Sequence, residues 1–309
     1  MNHDLIIIGA GPAGLTACLY ALRSSLNVLL IDKAMPGGYL SQILELENYP
    51  GFEMISGFKL ADKMVKQLEK YNYQFKQSEV ERIARQDQLW DVFCSEQKIT
   101  AKTLIIATGS SPRKLQVKGE KEFIGKGVSY CGVCDAPFFR NKDIVVIGGG
   151  NTALEEAIYL TKFAENVTII HRRQGLRAEK ILIDKVKENK KIKFILDAVC
   201  TEISGVNTVE QVTIKDVNTN KLDIIKTQGV FIFVGMNPQT KFISGMIKTD
   251  GMGNVLGDNN LAASEQGVFV CGDCTDIPLR QVITACGQGA IAANSVNKYL
   301  EGSNVENPS

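Results

Sequence analysis

The feature that most constrains the fold of this chain is an internal duplication with an offset of 139 residues. Residues 4–9 fall on residues 143–148 at that offset, and residues 27–32 fall on residues 166–171 without a gap. Each copy reads as a buried strand, a glycine-rich turn, a helix and a second strand. The chain is therefore expected to be α/β, with two Rossmann-like domains of three layers (ββα) that bind dinucleotides.

The first copy carries the fingerprint Gly9-Ala-Gly-Pro-Ala-Gly14 between an apolar strand and a segment of helical composition. Glycines in such a turn allow the backbone to approach a pyrophosphate at the helix N-terminus. Asp32 ends the next strand, 23 residues after Gly9, where a carboxylate can accept hydrogen bonds from a free ribose. The alternative is a glycine turn followed by an unrelated surface Asp, and the combination of strand, turn, helix and acid argues against it.

The second copy carries Gly148-Gly-Gly-Asn-Thr-Ala153 but differs from the first at the strand end. Where the first copy has Asp32, the second has His171-Arg172-Arg173, followed by Arg177. A carboxylate would repel a 2′-phosphate, whereas guanidinium groups bind one bidentately. The first copy is thus expected to hold a nucleotide without that phosphate, and the second to hold NADP. The alternative is a solvated basic turn.

A cysteine pair, Cys131-Gly-Val-Cys134, lies between the two fingerprints and is followed by Asp135. A CxxC pair can close a small disulfide ring in which one thiol has a lowered pKa. Alone it is equally typical of half a zinc site or of a chance pair. Beside two dinucleotide sites, it indicates electron transfer from a nicotinamide through a flavin to a disulfide. Asp135 can exchange a proton with a thiolate or cap a helix.

Other residues near these motifs have a simpler interpretation. Cys271 and Cys274 form a second CxxC, which we interpret as small buried residues rather than a redox pair. Zinc bound by all four cysteines would require the two pairs to meet in space. Phe138 and Phe139 can dock a partner or pack in the core, and core packing is the favoured interpretation.

Composition argues against several other classes of protein. The chain has 309 residues, 44% of them hydrophobic and 22% charged, and a net charge of +1, so nothing favours nucleic acid or a membrane surface as partner. No apolar run approaches the roughly 20 residues that cross a bilayer, and residues 5–8 are too short for a signal peptide. Eight irregularly spaced cysteines are too few for a disulfide scaffold. We expect a cytoplasmic protein of about two domains.

Two short segments are expected to be the domain boundaries. Ser110–Pro112 follows a strand that ends in Ala107-Thr-Gly109, and Met236–Pro238 follows a second apolar strand. Beyond it, residues 267–273 read as one more strand and residues 284–299 as a buried helix. The first domain is therefore expected to be discontinuous, 1–112 and 239–309, with the second domain, 113–238, inserted in it.

The full set of motifs resembles that of the low-molecular-weight thioredoxin reductases over essentially the whole chain. The matching motifs are Gly9-Ala-Gly-Pro-Ala-Gly14, Gly37-Gly38, Glu47-Asn-Tyr-Pro-Gly51, Ala107-Thr-Gly109, Cys131-Gly-Val-Cys-Asp135, Gly148-Gly-Gly-Asn-Thr-Ala153, His171-Arg-Arg with Arg177, and Cys271-Gly-Asp273 with Arg280-Gln281. The resemblance implies a homodimeric flavoprotein that passes electrons from NADPH through FAD to a Cys131–Cys134 disulfide and on to thioredoxin. It also implies that Cys134 lies against the flavin.

The resemblance further implies a set of site residues, with no metal among the ligands. The catalytic residues would be Cys131, Cys134 and Asp135. Residues in 1–112 and 239–309 would bind FAD: Gly9, Gly11, Pro12, Ala13, Gly14, Asp32, Lys33, Gly37, Gly38, Asn48, Val80, Thr108, Gly109, Gly272, Asp273, Arg280, Gln281 and Val282. Residues in 113–238 would bind NADPH: Gly148, Gly150, Asn151, Thr152, Ala153, His171, Arg172, Arg173 and Arg177.

Two alternatives stay open. One is a flavin disulfide reductase of the same fold with another donor or acceptor, such as ferredoxin or a peroxiredoxin-reducing partner. The other is a non-catalytic FAD/NADP redox sensor. The basic strand end argues against the loss of NADPH, and the CxxC pair argues against a sensor.

Overall fold

A computed structural model of the chain describes residues 3–43, 46, 48–71, 73–95 and 97–302, apart from the side chains of Val133 and Cys134. The chain forms two compact units. The first comprises the residues up to Ser111 and from Asn237 onward, and the second is Pro112–Met236. The second unit is thus an insertion within the first.

The helices and strands follow in chain order. Up to the start of the inserted unit they are β1 (His3–Ile8), α1 (Pro12–Arg23), β2 (Val28–Asp32), α2 (Gly57–Glu69), β3 (Gln74–Gln77), β4 (Arg82–Gln86), β5 (Leu89–Cys94), β6 (Gln97–Ile106) and β7 (Ser110–Pro112). The inserted unit contains β8 (Val128–Ser129), α3 (Gly132–Asp135), β9 (Asp143–Ile147), α4 (Asn151–Leu160), β10 (Asn166–Ile170), α5 (Lys180–Glu188), β11 (Ile192–Ile195), β12 (Ala198–Ser204), β13 (Gln211–Asp216), β14 (Leu222–Lys226) and β15 (Gly229–Ile232). The chain returns through β16 (Met236–Pro238), which pairs with β7, and ends with β17 (Val268–Val270) and α6 (Val282–Leu300). Short 3-10 helices lie at Gly38–Gln42, Ala136–Phe139 and Lys241–Ile243.

The main sheet of the first unit is parallel at its centre because its strands are apolar on both faces. The strands β3, β2, β1 and β6 lie side by side in that order, all parallel, and β17 pairs with the second half of β6. The first half of β6 pairs antiparallel with β5, which in turn pairs with β4. Leu5 and Ile7 of β1 belong to the core under α1 and α6, whereas Ile6 belongs to the opposite core with Trp90 and Val92.

The helices α1 and α6 can approach closely because small residues line their contact. A Cβ on Gly289 of α6 would overlap the carbonyl oxygen of Ala13 in α1, so glycine is required there. The helix α6 starts at Val282 because Gln281 and Thr284 cap it reciprocally, each side chain accepting a backbone N–H of the other residue.

The inserted unit repeats this architecture. Its parallel sheet has the order β11-β10-β9-β15-β8, and the antiparallel strands β12, β13 and β14 form a second sheet. Val146 of β9 packs in the core with α4, and Val145 packs in the opposite core with Val212 of β13. The equivalent helices begin at residues 12 and 151, which are separated by the offset of the sequence repeat. The predicted fold class, two Rossmann-like units with one inserted in the other, is confirmed.

Candidate functional site

The first glycine fingerprint forms the turn between β1 and α1. Gly9 has a φ of +108°, and a Cβ there would overlap the carbonyl oxygen of Ala107; a Cβ on Gly14 would overlap that of Gly9. These two glycines are therefore required by the fold. Gly11 is different, because its φ is an ordinary −75° and no described atom lies within 4 Å of the position a Cβ would take.

The second fingerprint repeats this pattern between β9 and α4. A Cβ on Gly148, whose φ is +154°, would overlap the carbonyl oxygen of Phe233, and Ala153 is fully buried beside it. Gly150 has a φ of −101°, and its Cβ would meet none of the described atoms within 4 Å. Gly11 and Gly150 thus leave equivalent open spaces at the N-termini of α1 and α4. Such a space suits a pyrophosphate, so the two turns fit the two predicted dinucleotides.

Alanine substitutions at Gly11 and Gly14 should separate cofactor binding from folding. Gly14→Ala should lower the free energy of unfolding by about 2–3 kcal/mol, because the methyl group has no room. Gly11→Ala should leave the stability of the flavin-free protein unchanged or slightly higher, but lower the affinity for FAD roughly tenfold or more by crowding the phosphate. Thermal unfolding and flavin absorbance measure the two effects. An unchanged affinity of Gly11→Ala for FAD would contradict a phosphate site at this turn.

A cavity of about 1010 Å³ lies in the first unit at the carboxyl ends of β1 and β2. Five predicted residues line it: Gly9, Asp32, Lys33, Val80 and Thr108. The Asp32 carboxylate accepts the N–H of Ala10 at 2.7 Å and the N–H of Ala34 at 2.9 Å. Since a carboxylate offers about four acceptor sites, it is held in place and can still accept from a ribose.

The same cavity has a second wall that the sequence did not indicate. It comes from the end of β16 and the segment after it, and includes Pro238, Thr240, Phe242 and Met252. In the sequence, Pro238 marks an expected domain boundary and the other three belong to no motif. Only the return of the chain to the first unit brings these residues next to Asp32.

Two further glycine turns meet the first fingerprint. Gly38 follows β2 with a φ of +56°, and a Cβ there would lie 3.0 Å from Cα of Gly11. Gly272 follows β17 with a φ of +79°, and its Cβ would lie 2.9 Å from Cβ of Ala13. The other predicted residues of this group occupy neighbouring turns and helix starts: Pro12 and Ala13 at the start of α1, Gly37 before Gly38, Gly109 after β6, and Val282 at the start of α6.

The remaining predicted FAD residues are held by hydrogen bonds between separate segments. The Asn48 amide donates to Oε1 of Gln281 at 3.1 Å, which joins the loop before α2 to the start of α6. The Arg280 guanidinium donates to Oδ1 of Asn254 at 3.0 Å. Burial raises the pKa of the Asp273 carboxyl, and the charge of Arg280 offsets this shift only in part. A half-buried carboxyl of this kind is suited to bind hydroxyl groups.

The basic strand end follows β10 in the inserted unit. Arg172, Arg173 and Arg177 are exposed, and in the described part of the chain none of the three forms an ion pair with an acidic side chain. Guanidinium groups in this state are available to a phosphate.

His171 has a different environment from the arginines that follow it. Its side chain is only 6% exposed, and its ring lies so close to Gly149 that a Cβ there would overlap the imidazole. Burial, together with the positive charges of the nearby arginines, lowers the pKa of His171, so the ring is neutral at pH 7. The structure therefore places His171 beneath the fingerprint rather than on the surface with the arginines.

The arginine turn is tied to the second fingerprint and to the antiparallel sheet. The Arg177 N–H donates to the carbonyl of Gly149 at 2.7 Å. Asn151 and Glu179 exchange two hydrogen bonds, of 3.0 and 2.8 Å, and the Gln174 amide donates to the Asp197 carboxylate. These hydrogen bonds hold the turn in place. Glu179 and Asp197 lie in segments without a motif, so the sequence did not indicate them.

The dithiol segment follows β8, with Cys131 just before the one-turn helix α3 and Cys134 within it. Cys131 is half-buried and disulfide-bonded. Its N–H donates to the Ser129 hydroxyl at 3.1 Å, and that hydroxyl is 3.0 Å from the Cys131 carbonyl. Asp135 is half-buried and its N–H donates to the same carbonyl at 3.3 Å. The side chain of Cys134, the second predicted catalytic cysteine, lies outside the described residues.

The two phenylalanines after the dithiol have different environments. Phe139 is 7% exposed and packs edge-on against Phe231 with ring centroids 5.0 Å apart, so core packing is confirmed for Phe139. Phe138 is 72% exposed, and core packing is wrong for that residue, because the 3-10 turn points consecutive side chains in different directions.

The second CxxC pair is buried. Cys271 and Cys274 are free thiols with no exposed surface, and burial raises the pKa of Cys274 to about 11. A thiol with a raised pKa and no access to solvent is a poor nucleophile. The interpretation of this pair as small buried residues is confirmed.

Residues 3–289 match the model of the pyridine nucleotide-disulphide oxidoreductase family. The chain belongs to this family. As a member, it is an oxidoreductase, and the predicted resemblance is confirmed.

Relatives of this oxidoreductase match it over nearly its full length. It is 41% identical over 300 residues to a thioredoxin reductase of Bacillus subtilis, covering 97% of this chain and 95% of the relative. Among solved structures, the thioredoxin reductase of Lactococcus lactis is 40% identical with a TM-score of 0.91, covering 97% of this chain and 100% of that one. The thioredoxin reductase of Streptococcus pyogenes is 46% identical with a TM-score of 0.71, covering 97% and 98%.

Proposed function

We propose that this oxidoreductase is a thioredoxin reductase, in which electrons pass from NADPH through FAD to a Cys131–Cys134 disulfide and then to oxidised thioredoxin. The observation that carries the proposal is the disulfide at Cys131, in the same unit as a nucleotide turn with three exposed arginines. Relatives named as thioredoxin reductases that span nearly the whole chain support it.

We assign FAD to the first unit (1–112 and 239–309) and NADPH to the inserted unit (113–238). Asp32 would hold a ribose of FAD, and the open turn at Gly11 would hold its pyrophosphate. The turn at Gly150 would hold the pyrophosphate of NADPH, and the exposed Arg172 and Arg173 its 2′-phosphate. Bound FAD supplies the two-electron chemistry that links NADPH to a disulfide.

At the dithiol, reduction adds two electrons and two protons and gives two thiols. Asp135 directly follows Cys134 in α3, and we assign to its carboxyl the transfer of a proton to and from the cysteine sulfurs. The Cys131 thiolate then attacks the disulfide of the partner, which forms a mixed disulfide and releases one partner sulfur as a thiol. The Cys134 sulfur attacks Cys131 in turn, which frees the second partner thiol and restores the Cys131–Cys134 disulfide.

We also propose thioredoxin or a thioredoxin-like protein as partner, a homodimer and a cytoplasmic location. Phe138, exposed four residues after Cys134, can contact a partner whose disulfide reaches Cys131. Phe58 and Met54 expose apolar surface on the first unit that a second copy can bury. Among the described residues, no helix has the length and apolar character needed to span a membrane.

The proposal is tested by assaying the purified protein for NADPH oxidation with oxidised bacterial thioredoxin. We expect bound FAD and continuous turnover that requires both NADPH and thioredoxin. A colourless protein that takes up no flavin would overturn the proposal. So would a flavoprotein that is reduced once by NADPH and then stops in the presence of every disulfide tested, because that behaviour belongs to a sensor.

The same assay distinguishes the other alternative, a reductase with a different donor. Replacing NADPH by reduced ferredoxin should give no turnover, since the three exposed arginines favour a phosphorylated nicotinamide. Turnover with ferredoxin alone would instead favour the ferredoxin-linked enzyme.

A further inference from the structure

A buried carboxylate lies next to the dithiol segment and has no part in the mechanism described above. Glu120 is only 3% exposed. It accepts three hydrogen bonds: from the N–H of Leu115 at 2.8 Å, from the N–H of Gln116 at 2.6 Å, and from the Tyr130 hydroxyl at 2.6 Å. Burial of an ionisable carboxyl is costly unless hydrogen-bond donors compensate it. The three donors around Glu120 therefore stabilise its buried carboxylate.

The Tyr130 hydroxyl is the donor in its bond with Glu120. Burial raises the pKa of Tyr130, and the hydrogen bond and negative charge of Glu120 raise it further. The phenol therefore stays protonated over the working pH range and holds its bond with the carboxylate. Because Tyr130 directly precedes Cys131, this bond fixes the chain immediately before the disulfide.

The short helix that begins just after Cys131 and contains Cys134 needs such external support. α3 is four residues long, and an isolated helix of one turn is unstable. From the N-terminal side, the Ser129 hydroxyl holds the backbone of Cys131, and the Tyr130 side chain is held by Glu120. Glu120 also binds Gln116, which has a φ of +62°. The carboxylate thus ties the dithiol to the segment that follows β7.

We propose that Glu120 and Tyr130 form a positioning clamp that holds Cys131 in the orientation required for reduction of its disulfide. This inference rests on the proposed redox role of Cys131 and adds two positioning residues to it. The two carboxylate oxygens of Glu120 accept different hydrogen bonds. Oε1 accepts from Tyr130 and Leu115, whereas Oε2 accepts from Gln116.

Because of this difference, substitutions can separate the effect of the clamp on disulfide reduction from its effect on the stability of the fold. Tyr130→Phe removes the hydroxyl that bonds Glu120 and keeps both backbone bonds of that carboxylate. We expect it to slow the appearance of two new thiols after addition of NADPH about tenfold. Glu120→Gln keeps a carbonyl oxygen for Tyr130 but sets an amide against the Gln116 N–H. It should lower the melting temperature and leave the rate of thiol appearance within about threefold of wild type.

The matched control is Thr227→Val in the same unit. Thr227 is fully buried, and its hydroxyl bonds with the carbonyls of Asp143 and Gly229 at 3.0 and 2.9 Å. Thr227→Val should lower the melting temperature and leave thiol appearance unchanged. Reduction of the bound flavin by NADPH, followed by stopped-flow absorbance, should be unchanged in all three variants.

The possible results distinguish failure of the clamp from failure of the proposed function. A rate for Tyr130→Phe equal to that of Thr227→Val, or flavin reduction slowed as much as thiol appearance, would overturn the clamp. If wild type forms thiols but does not reduce thioredoxin, the proposed partner is wrong and the clamp is still measured by the thiol assay. If wild type forms no thiols after NADPH, both proposals are overturned.

Discussion

Replacing Cys131 by serine is expected to lower thioredoxin-dependent turnover by roughly a thousandfold or more, as is usual when a nucleophile is removed. A serine hydroxyl supplies no thiolate for exchange and cannot close a disulfide with Cys134. Reduction of the bound flavin by NADPH should persist, because neither nucleotide turn involves sulfur. Steady-state NADPH oxidation with oxidised thioredoxin measures turnover, and stopped-flow absorbance measures the flavin step.

The control for this prediction is Cys200→Ala in the same unit. Cys200 is a free thiol, 7% exposed, and burial raises its pKa to about 12, so it has no accessible thiolate. Its replacement should cost about 1–2 kcal/mol of stability and leave turnover within about twofold. Full turnover in Cys131→Ser would contradict the dithiol assignment, and equal loss in both variants would show a general effect on folding.

The duplicated architecture could be predicted because its signals are local in the chain. An apolar strand, a glycine turn and a helix start occur within about twelve residues in each copy, and the offset between the copies reveals the repeat. The final helix begins at Val282 and not at Thr284 as expected. The reciprocal cap formed by Gln281 and Thr284 extends it by part of a turn, and that cap depends on side-chain geometry that composition does not reveal.

The supporting residues could not be predicted, because their role exists only in the folded chain. Asn254 holds Arg280, and Asp197 holds Gln174, but each pair joins segments without a shared motif. The alignment of the two copies placed His171 opposite Asp32 as a ligand contact, and the structure buries its ring against Gly149. Sequence likewise does not reveal that Gly14 is needed for packing whereas Gly11 leaves open space.

The double variant Arg172→Gln with Arg173→Gln is expected to raise the KM for NADPH about 100-fold or more, while the KM for NADH changes by less than about threefold. Each guanidinium can make charge-assisted bonds to the 2′-phosphate, worth about 1.5–3 kcal/mol, and NADH lacks that phosphate. Because the turn is held in place by the Gln174–Asp197 bond and by the Arg177 N–H, the substitutions should remove charge without disordering the turn.

A control must distinguish the loss of positive charge elsewhere in the unit from the loss of the arginine contact with the 2′-phosphate. The pair Lys185→Gln with Lys187→Gln removes two exposed positive charges from α5 in the same unit and should leave both KM values nearly unchanged. In wild type, added salt should raise the KM for NADPH more than that for NADH, since screening weakens attraction to the phosphate, and the arginine variant should lose this difference. Equal changes of the two KM values in the arginine variant would show that the basic turn does not read the 2′-phosphate.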